Sequence, residues 1–195
     1  MIDEIELGRE FFERLTAIDE AILARAGSEA CRFCGGPLHR GDYMRKPRGG
    51  LLAAAAEEFA RRFSLCCGRE GCRRRATPPS VRFLGRRIYV GAIVIIASVV
   101  ALAQATTIAK RTTGVPTRTT RRWQRWWRGP FVATPVFVEM TGRLVPAVER
   151  RTLPTSILER LGGSTAARVR SLLGWLAPLT TSSTLDGSRL LRGLV

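Results

Sequence analysis

Acidic side chains are scarce in the larger, C-terminal part of this sequence: after Cys72 the only ones are Glu139, Glu149, Glu159 and Asp186. A nuclease that works with divalent metal ions needs clustered carboxylates to hold those ions. These four acids are scattered, and three of them are interleaved with arginines. Their scarcity argues against a three-carboxylate catalytic centre, and we expect no enzymatic activity of that class.

A secretion signal is also lacking. Residues 1–6 show neither the basic start nor the apolar run of a signal peptide. We therefore expect a cytoplasmic protein, in which thiols are kept reduced. Five cysteines in a reducing compartment indicate metal binding rather than disulfides.

Negative charge is outweighed over the whole chain, since 32 arginines and lysines face 16 aspartates and glutamates and the sequence pI is near 11.4. Residues 1–72 carry 11 basic and 12 acidic side chains, whereas residues 73–195 carry 21 and 4. All of the excess positive charge thus follows the last cysteine. This distribution favours a polyanionic partner, either nucleic acid or an anionic membrane surface.

The spacing of the cysteines predicts a structural zinc site of the zinc-ribbon kind. Structural zinc takes four soft ligands in a tetrahedron, and two short turns that each carry two cysteines supply them. Cys31 and Cys34, followed by two glycines, form one such knuckle; Cys67 and Cys72 form the other. A catalytic zinc would need an open coordination position and a nearby acid or base, and no such set surrounds these turns.

The second knuckle leaves alternatives, because Cys66 is also present. We favour Cys67, since Phe63, Leu65 and Cys67 share one face if the segment is extended. His39, the single histidine, is a less favoured substitute ligand. A redox dithiol is the competing interpretation of Cys31 and Cys34, although no thioredoxin-like pattern surrounds them.

Helical and turn-rich segments alternate in the first 80 residues. Apolar residues at spacings of three and four predict an amphipathic helix over residues 8–26, within an N-terminal segment 1–28. Residues 29–80 contain several glycine-rich corners and are expected to form the small metal-clamped ribbon. Within it, the alanine-rich residues 51–62 are predicted to be a short helix and residues 63–65 a strand.

A basic, aromatic segment over residues 117–128 predicts a helix with two different faces. Trp123, Trp126 and Trp127 fall at spacings of three and four and can pack together on one side. The preceding residues supply another helix and a glycine turn at Gly114, which is the order of a helix-turn-helix DNA reader. The predicted nucleic-acid contacts are arginines: Arg121, Arg122 and Arg125 for recognition, and Arg73, Arg74, Arg75, Arg118 and Arg128 for phosphates.

The segment also resembles the helix-turn-helix region of bacterial insertion-sequence transposases, on three short motifs: Ile108-Ala109, the Gly114-Val115 turn, and a threonine-to-Arg-Trp run ending at Trp123. Many such transposases carry an N-terminal zinc ribbon, a basic run, a helix-turn-helix and then an acidic catalytic domain. The resemblance covers about half of this chain and lacks the catalytic part. It implies a transposase-like accessory protein that binds DNA, with a transposase or a second copy of itself as further partners.

Residues 88–109 contain no charged side chain, which leaves a second interpretation of a different class. About 20 apolar residues span a bilayer, so a single-pass membrane protein with a cytosolic zinc-ribbon head also fits. Both flanks are basic and the last third is polar, so a buried first helix of a compact helical domain fits as well.

Our preferred interpretation is an α+β, mostly helical protein that binds DNA and holds one structural zinc ion. We expect a zinc ribbon over residues 29–80, a helix-turn-helix module over 81–130 and C-terminal helices over 131–195. The last of these are indicated by apolar periodicity around Ile157 and Leu172.

Overall fold

A computed structural model describes residues 7–45, 59–84, 90–104 and 106–180. It shows an α+β protein in which helices predominate and the strands are short. The first helix, α1 (Arg9–Gly27), confirms the amphipathic helix expected over residues 8–26. Its buried face includes Phe12, Leu15 and Ile22, which recur at the three- and four-residue spacing that places side chains on one side of a helix.

Short antiparallel strands follow α1. They are β1 (Leu38–Arg40), β2 (Tyr43–Met44), β3 (Arg61–Arg62), β4 (Leu65–Cys67) and β5 (Arg75–Ala76). The sheet order is β1-β4-β5, while β2 pairs with β3 separately. We call residues 31–45 and 59–76 the cysteine unit.

The helix predicted over residues 51–62 is wrong at its end, because Arg61 and Arg62 belong to β3. The rest of that prediction, residues 51–58, lies outside the described residues. Arg62 is buried and donates hydrogen bonds to the carbonyls of Phe63 and Pro78, which fixes it in the sheet region. Burial lowers the pKa of its guanidinium. The strand expected at residues 63–65 begins only at Leu65.

A buried ionic network joins α1 to the chain that leaves the cysteine unit. Asp19 is only 2% exposed and accepts hydrogen bonds from Ser80 Oγ (2.6 Å), Val81 N (2.8 Å) and Arg82 Nε (2.8 Å). The amide of Ser80 in turn donates to Thr180 Oγ1 at 3.0 Å. Since a buried carboxylate is costly unless it is paired and hydrogen-bonded, these partners are what allow Asp19 to be buried.

The central part of the uncharged segment forms α2 (Gly91–Ala103), while residues 106–109 belong to the next helix. Residues 91–101 of α2 are buried throughout. Its one polar side chain there, Ser98, accepts a hydrogen bond from the indole of Trp127 at 3.1 Å. Gly91 allows the close approach of a later helix, because a β-carbon there would lie 2.7 Å from Leu173 Cδ2. The helix ends at Gln104, whose backbone is extended. Among the helices of the described ranges, none has both the length and the apolar character needed to cross a bilayer.

Further helices pack around α2. They are α3 (Thr106–Thr113), α4 (Thr117–Arg128), α5 (Pro135–Thr141), α6 (Thr155–Leu158) and α7 (Thr165–Leu176), with 3-10 turns at Arg150–Thr152 and Ala177–Thr180. α2 contacts α3, α4 and α7 directly. We call residues 90–104 and 106–180 the helical part.

The C-terminal helices confirm part of the sequence pattern. The periodicity around Leu172 corresponds to α7, whereas that around Ile157 yields only the single turn of α6. Pro135 occupies the first turn of α5, where the backbone nitrogen has no hydrogen-bond partner within the helix and a proline is therefore tolerated.

A candidate metal centre and a basic helix

Four cysteine sulfurs come together where the two knuckles meet. Cys31, Cys34, Cys67 and Cys72 each offer a sulfur, and these atoms all lie within 4.8 Å of one another. Two of the pairs that cross between the knuckles lie at 3.9 Å, from Cys31 to Cys72, and at 3.4 Å, from Cys34 to Cys67. A tetrahedron with Zn–S bonds near 2.3 Å has edges of roughly 3.8 Å. The cluster therefore has the size needed to hold a metal ion.

Backbone hydrogen bonds shape the first knuckle. The carbonyl of Cys31 accepts from the amides of Cys34 (3.3 Å) and Gly35 (2.7 Å), and the amide of Cys31 donates to Gly36 O (2.9 Å). Gly35 has a φ of +69°, in the left-handed region that favours glycine. At Gly36 a β-carbon would lie 3.1 Å from Cys67 Sγ. The two glycines thus let the turn close tightly around the sulfurs.

The second knuckle is built on β4 and β5. The strand β4 delivers Cys67, which is 1% exposed, and the amide of Cys67 donates to Arg74 O at 2.9 Å. The amide of Cys72 donates to Arg69 O at 3.2 Å, and Gly71 takes a φ of +81° to complete the loop. From this loop the side chain of Arg69 donates to Cys34 O at 2.6 Å, which ties the two knuckles together.

Neither alternative ligand belongs to the cluster. The thiol of Cys66 donates to Arg73 O at 3.4 Å, on the neighbouring turn. His39 pairs with Cys66 across β1 and β4. Its side chain packs against Gly68, since a β-carbon added to Gly68 would lie only 2.5 Å from His39 Nε2. The alternation of side chains along β4 sends Cys66 and Cys67 to opposite faces. Within the described ranges, the four-cysteine cluster is the group positioned for a metal.

The surroundings of the sulfurs affect their protonation unequally. At Cys31, the amide of Phe33 donates to the sulfur and favours the thiolate, so that the pKa falls to about 7. The amide of Arg69 acts in the same direction on Cys67, but burial and the neighbouring thiols outweigh it and raise the pKa to about 12. Adjacent thiols cannot all become anions without a cation between them, which fits a site that a metal completes.

The arginines predicted for nucleic acid divide into two groups. The first lies on α4, where all five are exposed: Arg118, Arg121, Arg122, Arg125 and Arg128. At about 100° per residue they occupy an arc of roughly 120°. The opposite side, with Thr120, Trp123 and Trp127, has no exposed surface and faces the core around α2. Among the described residues, none of the five arginines takes part in an ion pair.

The second group, Arg73, Arg74 and Arg75, is exposed but does not act as one surface. Arg75 Nη1 donates to Gly41 O (2.5 Å) and Ser64 Oγ (2.6 Å), so its head group braces the sheet. The guanidinium of Arg74 lies 4.3 Å from the centre of the Phe33 ring. Arg73 has a left-handed backbone, with a φ of +46°, at the exit of the knuckle.

Two residues of this region were not singled out from the sequence. Arg69 bridges the knuckles and Phe33 is a half-exposed ring at the tip of the first knuckle. Their only sequence signal is their place inside the two cysteine loops, where intervening residues are held close to the metal site.

Comparison with known proteins finds no match among protein-family models, curated proteins or solved structures.

Proposed function

We propose that this protein binds duplex DNA through α4 and that its four cysteines hold a structural zinc ion. The observation that carries the proposal is the division of α4 into an arginine face open to solvent and a tryptophan face packed in the core. A helix fixed in this way presents its guanidinium groups as a rigid set. Arginine suits both phosphate oxygens and the O6 and N7 atoms of guanine in the major groove.

The connection between α3 and α4 supports a helix-turn-helix interpretation. The two helices contact each other and are separated by three residues, of which Gly114 has a φ of +66°. Val115 is completely buried, and its amide donates to Thr113 Oγ1 at 3.3 Å, so the turn is anchored from the inside. In helix-turn-helix proteins the second helix enters the major groove, a role that α4 would take here.

Zinc is the metal favoured by the donor set. Four thiolates in two short turns form the closed arrangement typical of structural zinc, and each of the four cysteines lends one sulfur. The ion would hold the two knuckles together and leave no coordination position for a substrate.

We limit the proposed activity to binding, without strand cleavage. Two of the acids that follow Cys72 are paired with arginines: Glu139 with Arg143 at 3.2 Å, and Glu159 with Arg160 at 3.9 Å. The chain resembles transposases but lacks their catalytic part, which supports an accessory role in a mobile element, with a transposase or a second copy of this chain as a protein partner.

A charge-matched pair of double variants tests the proposal. Arg121→Ala/Arg122→Ala removes two charges from α4, and Arg150→Ala/Arg151→Ala removes two exposed charges from the 3-10 turn at Arg150–Thr152. In a duplex-binding assay over a salt series, the first variant should bind more weakly, with a slope of log affinity against log salt reduced by roughly 1.8. The second should resemble the unaltered protein. Equal affinities and slopes for the two variants would reject α4 as the DNA-binding helix.

A further inference from the structure

An open groove lies beside the cysteine cluster, between the end of α1, the first knuckle and β5. Its floor is apolar and includes Ala26, Leu38 and Ala76. Phe33 and Arg74 stand along its edge. None of the residues that line this groove belongs to α4.

Phe33 is a large apolar residue that is exposed among the arginines of the groove, Arg32, Arg74 and Arg75. Its ring is 46% exposed, although it lies in a knuckle whose neighbouring cysteines are largely enclosed. Two guanidinium groups lie over it, Arg74 at 4.3 Å and Arg32 at 4.7 Å from the ring centre. Such cation–π contacts keep the ring in place at the surface and place positive charge directly beside it.

The combination of an exposed ring, flat guanidinium groups and an apolar floor fits one class of ligand. A nucleobase has an apolar π-face and is joined to a phosphate, so it complements a ring and floor of this kind beside arginine head groups. Proteins that hold single strands use this pairing of aromatic stacking and positive charge. A base inside a duplex is stacked on its neighbours and cannot enter, which restricts the groove to unpaired bases.

We propose that the groove beside Cys31 binds one unpaired base of a single-stranded nucleic acid, stacked on the Phe33–Arg74 pair. Glu29 also lines the groove, and its carboxylate is a hydrogen-bond acceptor for a base N–H group such as N3–H of thymine. This inference rests on the proposed function in one respect, which is that the partner is a nucleic acid. It does not depend on DNA binding by α4.

The test uses the full, zinc-loaded chain and three fluorescent probes: an oligothymidylate strand, a strand of the same length with abasic sites in place of bases, and a blunt duplex. At fixed salt, the oligothymidylate should bind roughly 5- to 150-fold more tightly than the abasic strand, which is the stacking contribution of ~1–3 kcal/mol per base expressed as an affinity ratio. Phe33→Leu keeps the apolar bulk but removes the π-face, so this preference should disappear while duplex affinity stays unchanged.

Three controls separate stacking from other effects. Phe33→Trp should retain the preference for bases, because it restores a larger ring. Met44→Ala removes another exposed apolar side chain, 61% exposed and outside the groove, and should change nothing. Bound zinc, measured for each variant, should remain stoichiometric, which shows that the first knuckle is intact.

Several outcomes would overturn the inference. Equal affinity of the unaltered protein for the oligothymidylate and abasic strands would do so, as would a Phe33→Leu variant that keeps the preference. If polyglutamate competes for the groove as well as the oligothymidylate does, acidic protein segments are the ligand instead. If Arg121→Ala/Arg122→Ala loses duplex binding but keeps the preference for bases, both proposals are supported separately. If the unaltered protein prefers the oligothymidylate to the abasic strand but does not bind the duplex, only the role of α4 is rejected.

Discussion

The cysteine unit and the helical part are stabilised in different ways. In the cysteine unit, strands of two or three residues carry few ladder hydrogen bonds, and the two knuckles meet at four sulfurs. In the helical part, α2 is enclosed on all sides and large rings such as Trp123, Trp127 and Phe131 are completely buried. Short strands alone do not make a stable unit. The cysteine unit therefore depends more on contacts around its four sulfurs, which could hold a metal ion, whereas the helical part contributes most of the large buried side chains.

The largest difference between the two regions is expected when a metal ligand is removed. Cys67→Ser removes one sulfur from the cluster, and structural zinc sites contribute on the order of 10 kcal/mol to folding. We expect hydrogen exchange to show lost amide protection at β1 and β4, with protection retained in α2 and α7. Cys66→Ser is the matched control and should keep both zinc and protection. Protected strands in Cys67→Ser protein free of metal would mean that the cysteine unit does not depend on an ion.

A smaller effect is expected at the joint between the regions. Asp19→Asn removes the charge that faces Arg82, where both side chains are at most 2% exposed. Breaking a buried pair leaves an uncompensated charge, so the free energy of unfolding should fall by about 3 kcal/mol in a urea titration. Glu13→Gln, which disrupts the exposed pair with Arg9, should cost less than about 1 kcal/mol. Similar losses in the two variants would show that the Asp19 network does not hold the regions together.

The smallest effect should come from inside the helical part. Ser98→Ala deprives the buried indole of Trp127 of its acceptor, which costs about 1–2 kcal/mol. Thr112→Ala serves as the control, since that exposed hydroxyl bonds only to Ile108 O within its own helix. Thermal unfolding should distinguish the two, and zinc content should be the same in both. A Ser98→Ala protein as stable as the control would indicate that packing alone positions Trp127.

The sequence predicted those elements whose pattern is local. The three- and four-residue spacing gave α1, and the cysteine spacing identified the members of the cluster, with Cys67 preferred to Cys66 by the alternation of a strand. In α4, the tryptophan spacing predicted a packed face, and Trp123 and Trp127 are indeed buried, while Trp126 remains partly exposed.

Features that depend on distant partners could not be predicted in this way. Ser98 is an isolated polar residue in an apolar run, and its hydrogen-bond donor, the indole of Trp127, lies 29 residues later in the sequence. Asp19 is part of an amphipathic pattern, and nothing nearby indicates that Arg82 will meet it across 63 residues. Strands as short as β2 and β3 have too few residues to show an alternation, which explains the wrong helix at Arg61 and Arg62.

The hydrogen bond from the Ser80 amide to Thr180 Oγ1 has a practical consequence for dissecting this molecule. It joins two residues that are 100 positions apart, so the segment that leads into the helical part meets the end of that part beside Asp19. A fragment that starts after Arg82 would lack Ser80, and one that ends at the last turn of α7 would lack Thr180. Either fragment would lose this hydrogen bond and leave the remaining buried group without its partner. Fragments meant to isolate α2–α7 should therefore retain both Ser80 and Thr180.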